Sequence, residues 1–153
     1  MAVVRAFQGL RYQTSTLGSL SHLLAPPYDI ISGDQQKELY SRSPHNVVRL
    51  ELGETFQSDS AQDNPYVRAS RLLGEWQRDN ILLLDQTPSM YLLRQTFVLG
   101  EEKYSRRALF SRVQLEDFSK GIILPHEETG EAAKEDRLQL LTACKANLSP
   151  IMS

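Results

Sequence analysis

The chain has 153 residues, with 41% hydrophobic and 24% charged content, close to the averages for a folded domain. Its 17 Lys+Arg against 19 Asp+Glu give a formal net charge of -2, which excludes a strongly basic nucleic-acid binder, and its hydrophobic content excludes an acidic disordered tail. A single cysteine, Cys144, excludes an intramolecular disulfide framework and a Cys-rich zinc site.

The longest apolar runs, residues 81–84 and 121–124, fall far short of the roughly 20 residues of a membrane span. No signal-peptide core or cleavage pattern follows the first residues. A cytoplasmic protein without membrane or nucleic-acid partners is the expectation. Residues 2–7 are β-branched and apolar and predict a strand, followed by a turn-rich passage over 9–18. Pro26 and Pro27 fix φ and remove two donors, so residues 25–29 are extended and stiff. Ser32 with Gln35 predicts a capping box and a helix over about 33–41 that stops before Pro44. Residues 46–52 alternate Val47, Arg49 and Glu51 with Val48, Leu50 and Leu52, which predicts a strand with one wet face. A polar loop spans 53–64. Asn64 before Pro65 starts a helix with Ala69, Leu72, Leu73 and Trp76 on its apolar side, ended by Asp79-Asn80.

Residues 81–84 predict a short buried strand. Residues 90–99 and 104–115 predict the two strands of a hairpin turning at 100–103, and 117–125 cross over to a last helix at about 130–147. That helix is expected to place Leu138, Leu141 and Cys144 inward. Cys144 reads as a small core residue. The fold class is α+β, with a mixed sheet that includes the hairpin, flanked by about three helices. By length this is a single α+β domain or the N-terminal fragment of a larger protein.

The densest polar run is residues 125–137, ahead of and inside the last helix. His126 suits general acid–base work near neutral pH, and Glu127 or Glu128 suits proton transfer or Mg²⁺ binding. Lys134 and Arg137 lie three apart on one helix and suit phosphate. Asp29, presented by the stiff twin-proline segment, could close the other side of this cleft, or could simply cap the turn before Ile30 while Tyr28 packs. The competing reading is structural: acids in a first turn favour the helix dipole, and charges at this spacing line a solvated face. A carboxylate cluster there also repels phosphate unless a metal intervenes. His45 and Asn46 read as turn residues that could line the same cleft. A zinc-protease pair would need histidine at Gly130, and no Walker loop, dinucleotide fingerprint or nucleophile elbow occurs, so no metal site is assigned.

Several stretches together resemble one family: APPYDII (25–31), HNVVRLEL (45–52), LLGEWQRDNILLLDQTPSMY (72–91), and above all the run over 115–151 with P-H-E-x-T, K-x-D-R-L and A-N-x-S-P. The chain is similar to the N-terminal portion of the domain-of-unknown-function 1015 family. The resemblance maps onto Pro26, Pro27, Tyr28, Asp29, Asn46, His126, Glu127, Thr129, Lys134, Asp136, Arg137, Asn147, Ser149 and Pro150. Family members are longer and continue into a motif similar to that of ParB/sulfiredoxin-like free-serine kinases. The resemblance therefore implies a phosphate- or nucleotide-handling role for the full-length protein; it assigns no cofactor, and ATP or ADP with Mg²⁺ are the candidates in full-length relatives. It also implies that a missing C-terminal region packs against this segment. On that reading His126, Glu127 and Asp29 carry the chemistry, and Lys134, Arg137 and Thr129 hold the ligand. The alternatives are a non-catalytic binding or regulatory module, with the hairpin over 90–115 as its surface if an edge is open, or a fragment inactive on its own.

Overall fold

The structure, a computed structural model, describes residues 1–125 and 128–150. In chain order its elements are β1 (Val4–Arg5), β2 (Leu10–Tyr12), α1 (Thr14–Leu17), α2 (Gly33–Arg42), α3 (Val48–Glu51), α4 (Pro65–Arg78), β3 (Leu82–Leu84), β4 (Tyr91–Leu99), β5 (Glu102–Phe110), β6 (Arg112–Val113) and α5 (Glu131–Cys144). The fold is α+β. Among the described residues the strands form three two-stranded sheets, β1–β6, β2–β3 and β4–β5. Contacts divide the chain into two units, each drawn from two stretches of sequence: Met1–Leu10 with Leu84–Glu128, and Arg11–Leu83 with Thr129–Ser153.

The second unit is helical. Its long helices start as the sequence predicts. Ser32 Oγ accepts from the Gln35 N–H at 3.3 Å, and Gln35 Oε1 accepts from the Ser32 N–H at 2.9 Å. Asn64 Oδ1 accepts from the N–H groups of Tyr66 and Val67, and Pro65 takes the first helical position. Leu39, Val48, Leu50, Ala69, Leu73, Trp76 and Leu140 are buried together with Leu23 and Leu82. Helix α4 packs on α5 and α3, and α3 also packs on α2.

Two expectations are corrected in this unit. Residues 46–52 are not a strand, because Val48–Glu51 form one turn of helix. Asn46 Oδ1 accepts from the Val48 N–H at 3.0 Å and so starts the turn. A single turn packed by helices on two sides buries Val48 and Leu50, which stand two apart and mimic the period of a strand. The inward side of α5 is also different. Leu140 is buried while Leu138 and Leu141 are exposed, and Asp136 and Arg137 take half-buried positions in their stead. Cys144 is half-buried, and desolvation raises its thiol pKa.

The first unit is made of strands. Strands β1 and β6 pair antiparallel, Val4 opposite Val113 and Arg5 opposite Arg112. The hairpin runs in unbroken antiparallel register from Tyr91 opposite Phe110 to Leu99 opposite Glu102. Gly100 turns it at φ +63°, a conformation that favours glycine. Among the described residues none in this unit is fully buried.

Candidate functional site

The twin prolines hand the chain to a 3-10 turn over Tyr28–Ile30. Nearby, Asn46 is fully buried and fastens the preceding loop, its Nδ2 donating to the carbonyls of His22 at 2.9 Å and Leu24 at 3.0 Å. The turn holds the Tyr28 ring against Arg137, whose Cζ lies 3.7 Å from the ring centroid. Arg137 Nε donates to Asp136 Oδ2 at 2.8 Å, and Nη2 donates to the Glu51 carbonyl at 2.9 Å. Nη2 also donates to Asp136 Oδ2. Asp136 Oδ1 accepts from the Tyr66 hydroxyl at 2.8 Å, and Glu51 Oε2 accepts from Ser149 Oγ at 2.6 Å. Three separated stretches of chain therefore meet at one guanidinium, and two more, at Tyr66 and Ser149, bond to its partners.

One group is left over. Arg137 Nη1 is buried and has no hydrogen-bond partner among the described residues. A buried donor left in this state costs on the order of 1–3 kcal/mol. Beside it Leu50, Leu52, Thr55, Tyr66, Asp136 and Arg137 help to line a small cleft of about 90 Å³. The Tyr66 phenol is pushed up to about 12, first by burial and then by the hydrogen bond it donates to the Asp136 carboxylate. Tyr12 is raised as well, by burial and by the charge of Glu51. The site is thus a directed N–H donor with its charge partly met by Asp136, next to a hydroxyl that stays protonated at neutral pH.

Of the residues expected from the sequence, Arg137 lines the cleft and Lys134 does not. Lys134 is exposed and pairs with Glu131 at 3.1 Å, one turn earlier on α5. Thr129 is half-buried ahead of the helix. Asp29 is exposed, and it is the neighbouring Tyr28 that meets Arg137. His126 and Glu127 lie outside the described residues. The sequence carries no signal that assigns Tyr66 or Glu51 to the site. Tyr66 follows Pro65 at a helix start and belongs to no motif, and Glu51 contributes its backbone carbonyl, which no side-chain pattern reveals. Among the described residues no group of three or more His, Cys, Asp or Glu could hold a metal ion. Nor is any helix there long and apolar enough to cross a membrane.

A family model for DUF1015, described as a protein of unknown function, matches residues 4–153. The chain belongs to this family. The Arg137 cluster of this DUF1015 chain joins three of the stretches that carried the resemblance: Tyr28 from APPYDII, Glu51 from HNVVRLEL, and Asp136, Arg137 and Ser149 from the run over 115–151. No curated protein and no solved structure matches the DUF1015 chain.

Proposed function

We propose that the helical unit contributes a phosphate- or nucleotide-handling site, with Arg137 as the group that receives an anionic oxygen of the ligand. The observation that carries this reading is the buried, unpartnered Nη1 beside an open cleft. The stack on Tyr28 and the bonds to Asp136 and the Glu51 carbonyl hold the guanidinium in place. A ligand oxygen would therefore meet a preset donor and would not have to order a mobile one. Asp136 offsets much of the positive charge, so recognition rests on directed bonds more than on net attraction. On the same reading Lys134 and Thr129 supply further phosphate contacts, His126 and Glu127 transfer protons or bind a metal ion, and Asp29 bounds the site.

Calorimetric titration of the folded chain with ATP, ADP and inorganic phosphate, each with and without Mg²⁺, tests it. Heat is expected with at least one of these ligands. It should fall about tenfold or more in affinity in Arg137→Lys, which keeps the charge but loses the planar fork. Absence of heat in every condition, with the fold confirmed by circular dichroism, ends the proposal.

A second reading, a non-catalytic binding module, is favoured by one separate observation: the hairpin β4–β5 has no third strand among the described residues.

A further inference from the structure

Register fixes what each face of the hairpin carries. On one face Gln95 stands opposite Arg106 and Phe97 opposite Tyr104. These pairs satisfy one another: Arg106 donates to Gln95 Oε1 from Nε at 3.0 Å and from Nη2 at 2.6 Å, and the two rings stack at 5.8 Å between centroids. The other face pairs Leu92 with Leu109, Arg94 with Arg107, Thr96 with Ser105 and Val98 with Lys103. It carries three cations and no acid.

Two arginines directly opposite each other bring like charges to a Cβ separation of roughly 4.5–5.5 Å, which is unfavourable in isolation. Nothing in the described structure relieves it. Among the described residues the side chains of Arg94, Lys103 and Arg107 make no hydrogen bond or ion pair. The apolar residues flanking them are bare too: Leu92 is 70%, Val98 68% and Leu109 57% exposed. Arg106, the cation of the other face, is matched by Gln95, so unpartnered cations are what sets this face apart.

We propose that this face is a docking surface for an extended acidic segment of a partner protein. The segment would be added along an open edge of the hairpin, with a carboxylate set between Arg94 and Arg107 and apolar side chains on Leu92, Leu109 and Val98. Charge complementarity selects the carboxylate, since two guanidinium forks on adjacent strands can converge on one anionic group. The apolar neighbours select a peptide over a bare polyanion. A single-stranded nucleic acid would use stacking rings, and the rings of this hairpin, Phe97 and Tyr104, lie on the opposite face. This inference is independent of the cleft at Arg137.

The test is fluorescence anisotropy with the full chain and a short labelled peptide in which Thr alternates with Glu and Leu. Three comparison probes are the same peptide with Lys for Glu, an oligothymidine strand, and vesicles of phosphatidylserine and phosphatidylcholine. The acidic peptide is expected to bind, and more weakly as salt rises. Arg107→Glu should weaken it about tenfold or more, whereas Arg106→Glu, the same charge change one residue away on the matched face, should leave it within about twofold. Arg107→Gln separates binding from folding: it removes the like-charge contact, so the chain should melt no lower than wild type and still bind less well. Equal losses in Arg106→Glu and Arg107→Glu, absence of acidic-peptide binding, or equal binding of the lysine peptide overturn the proposal. So does tighter binding of the oligothymidine strand or the vesicles with the same dependence on Arg107.

Discussion

Replacing Asn46 by alanine removes three hydrogen bonds with one truncation. They are the two donated to the carbonyls of His22 and Leu24 and the one accepted from the Val48 N–H. Asn46 and Val48 are both 0% exposed, so the Val48 N–H has no water to turn to. The two carbonyls belong to exposed residues and recover part of their loss from solvent. With net contributions of about 0.5–1.5 kcal/mol per bond, and more for the stranded N–H, Asn46→Ala should lose roughly 2–4 kcal/mol. Asn46→Asp should lose more at neutral pH. It keeps an acceptor for Val48 but turns a second carboxylate oxygen on two carbonyls that need a donor. Trp76 is the chain's one tryptophan, is 3% exposed and lies in the same unit, so its fluorescence during urea unfolding reports on the affected region. An Asn46→Ala loss below about 0.5 kcal/mol, or an Asn46→Asp variant at least as stable as the alanine one, would show that these bonds do not hold the loop.

Three further outcomes are expected. The Tyr66 proton is held more tightly in the folded chain, so its contribution is fully present below the ordinary phenol value of about 10 and is lost as pH rises through about 12. Urea stability across that window should therefore fall more steeply in wild type than in Tyr66→Phe, and parallel curves would contradict the assigned environment. Ser32→Ala opens the capping box of α2 and should cost about 1 kcal/mol by urea unfolding, and no change would mean that the helix start is held by packing alone. Gly9→Ala would set a Cβ 2.8 Å from the Tyr91 hydroxyl, which also accepts from the Gly9 N–H at 2.7 Å. Overpacking of this kind costs about 1–3 kcal/mol, and an unshifted thermal melt would show that Tyr91 swings aside freely.

Local chemistry was the legible part of the sequence. The cap at Ser32, the Asn64-Pro65 start and the alternation through 91–110 each depend on near neighbours, and the structure has all three. What misled was apolar periodicity where burial is shared with polar groups. On α5 the leucines at 138 and 141 look like the inward stripe, but the inward positions belong to Asp136 and Arg137 as well as Leu140. Those charges are tolerable there because Tyr66, Tyr28 and the Glu51 carbonyl meet them, and all three are remote in sequence. The same remoteness hid the candidate site. Arg137 was legible as a candidate on a helix, but its neighbours were not, since an aromatic stack and a backbone carbonyl leave no spacing signature.

The division of the chain into interleaved units bears on the order in which a ribosome releases it. Strand β1 emerges first, yet its partner β6 follows only at Arg112–Val113. Helices α2 to α4 emerge next, but α5, which packs on α4, is translated after all of 84–128. A nascent chain paused before Thr129 would thus show solvent the apolar side of α4 that α5 later covers. Such a paused chain is the species from which chaperone engagement or aggregation should arise.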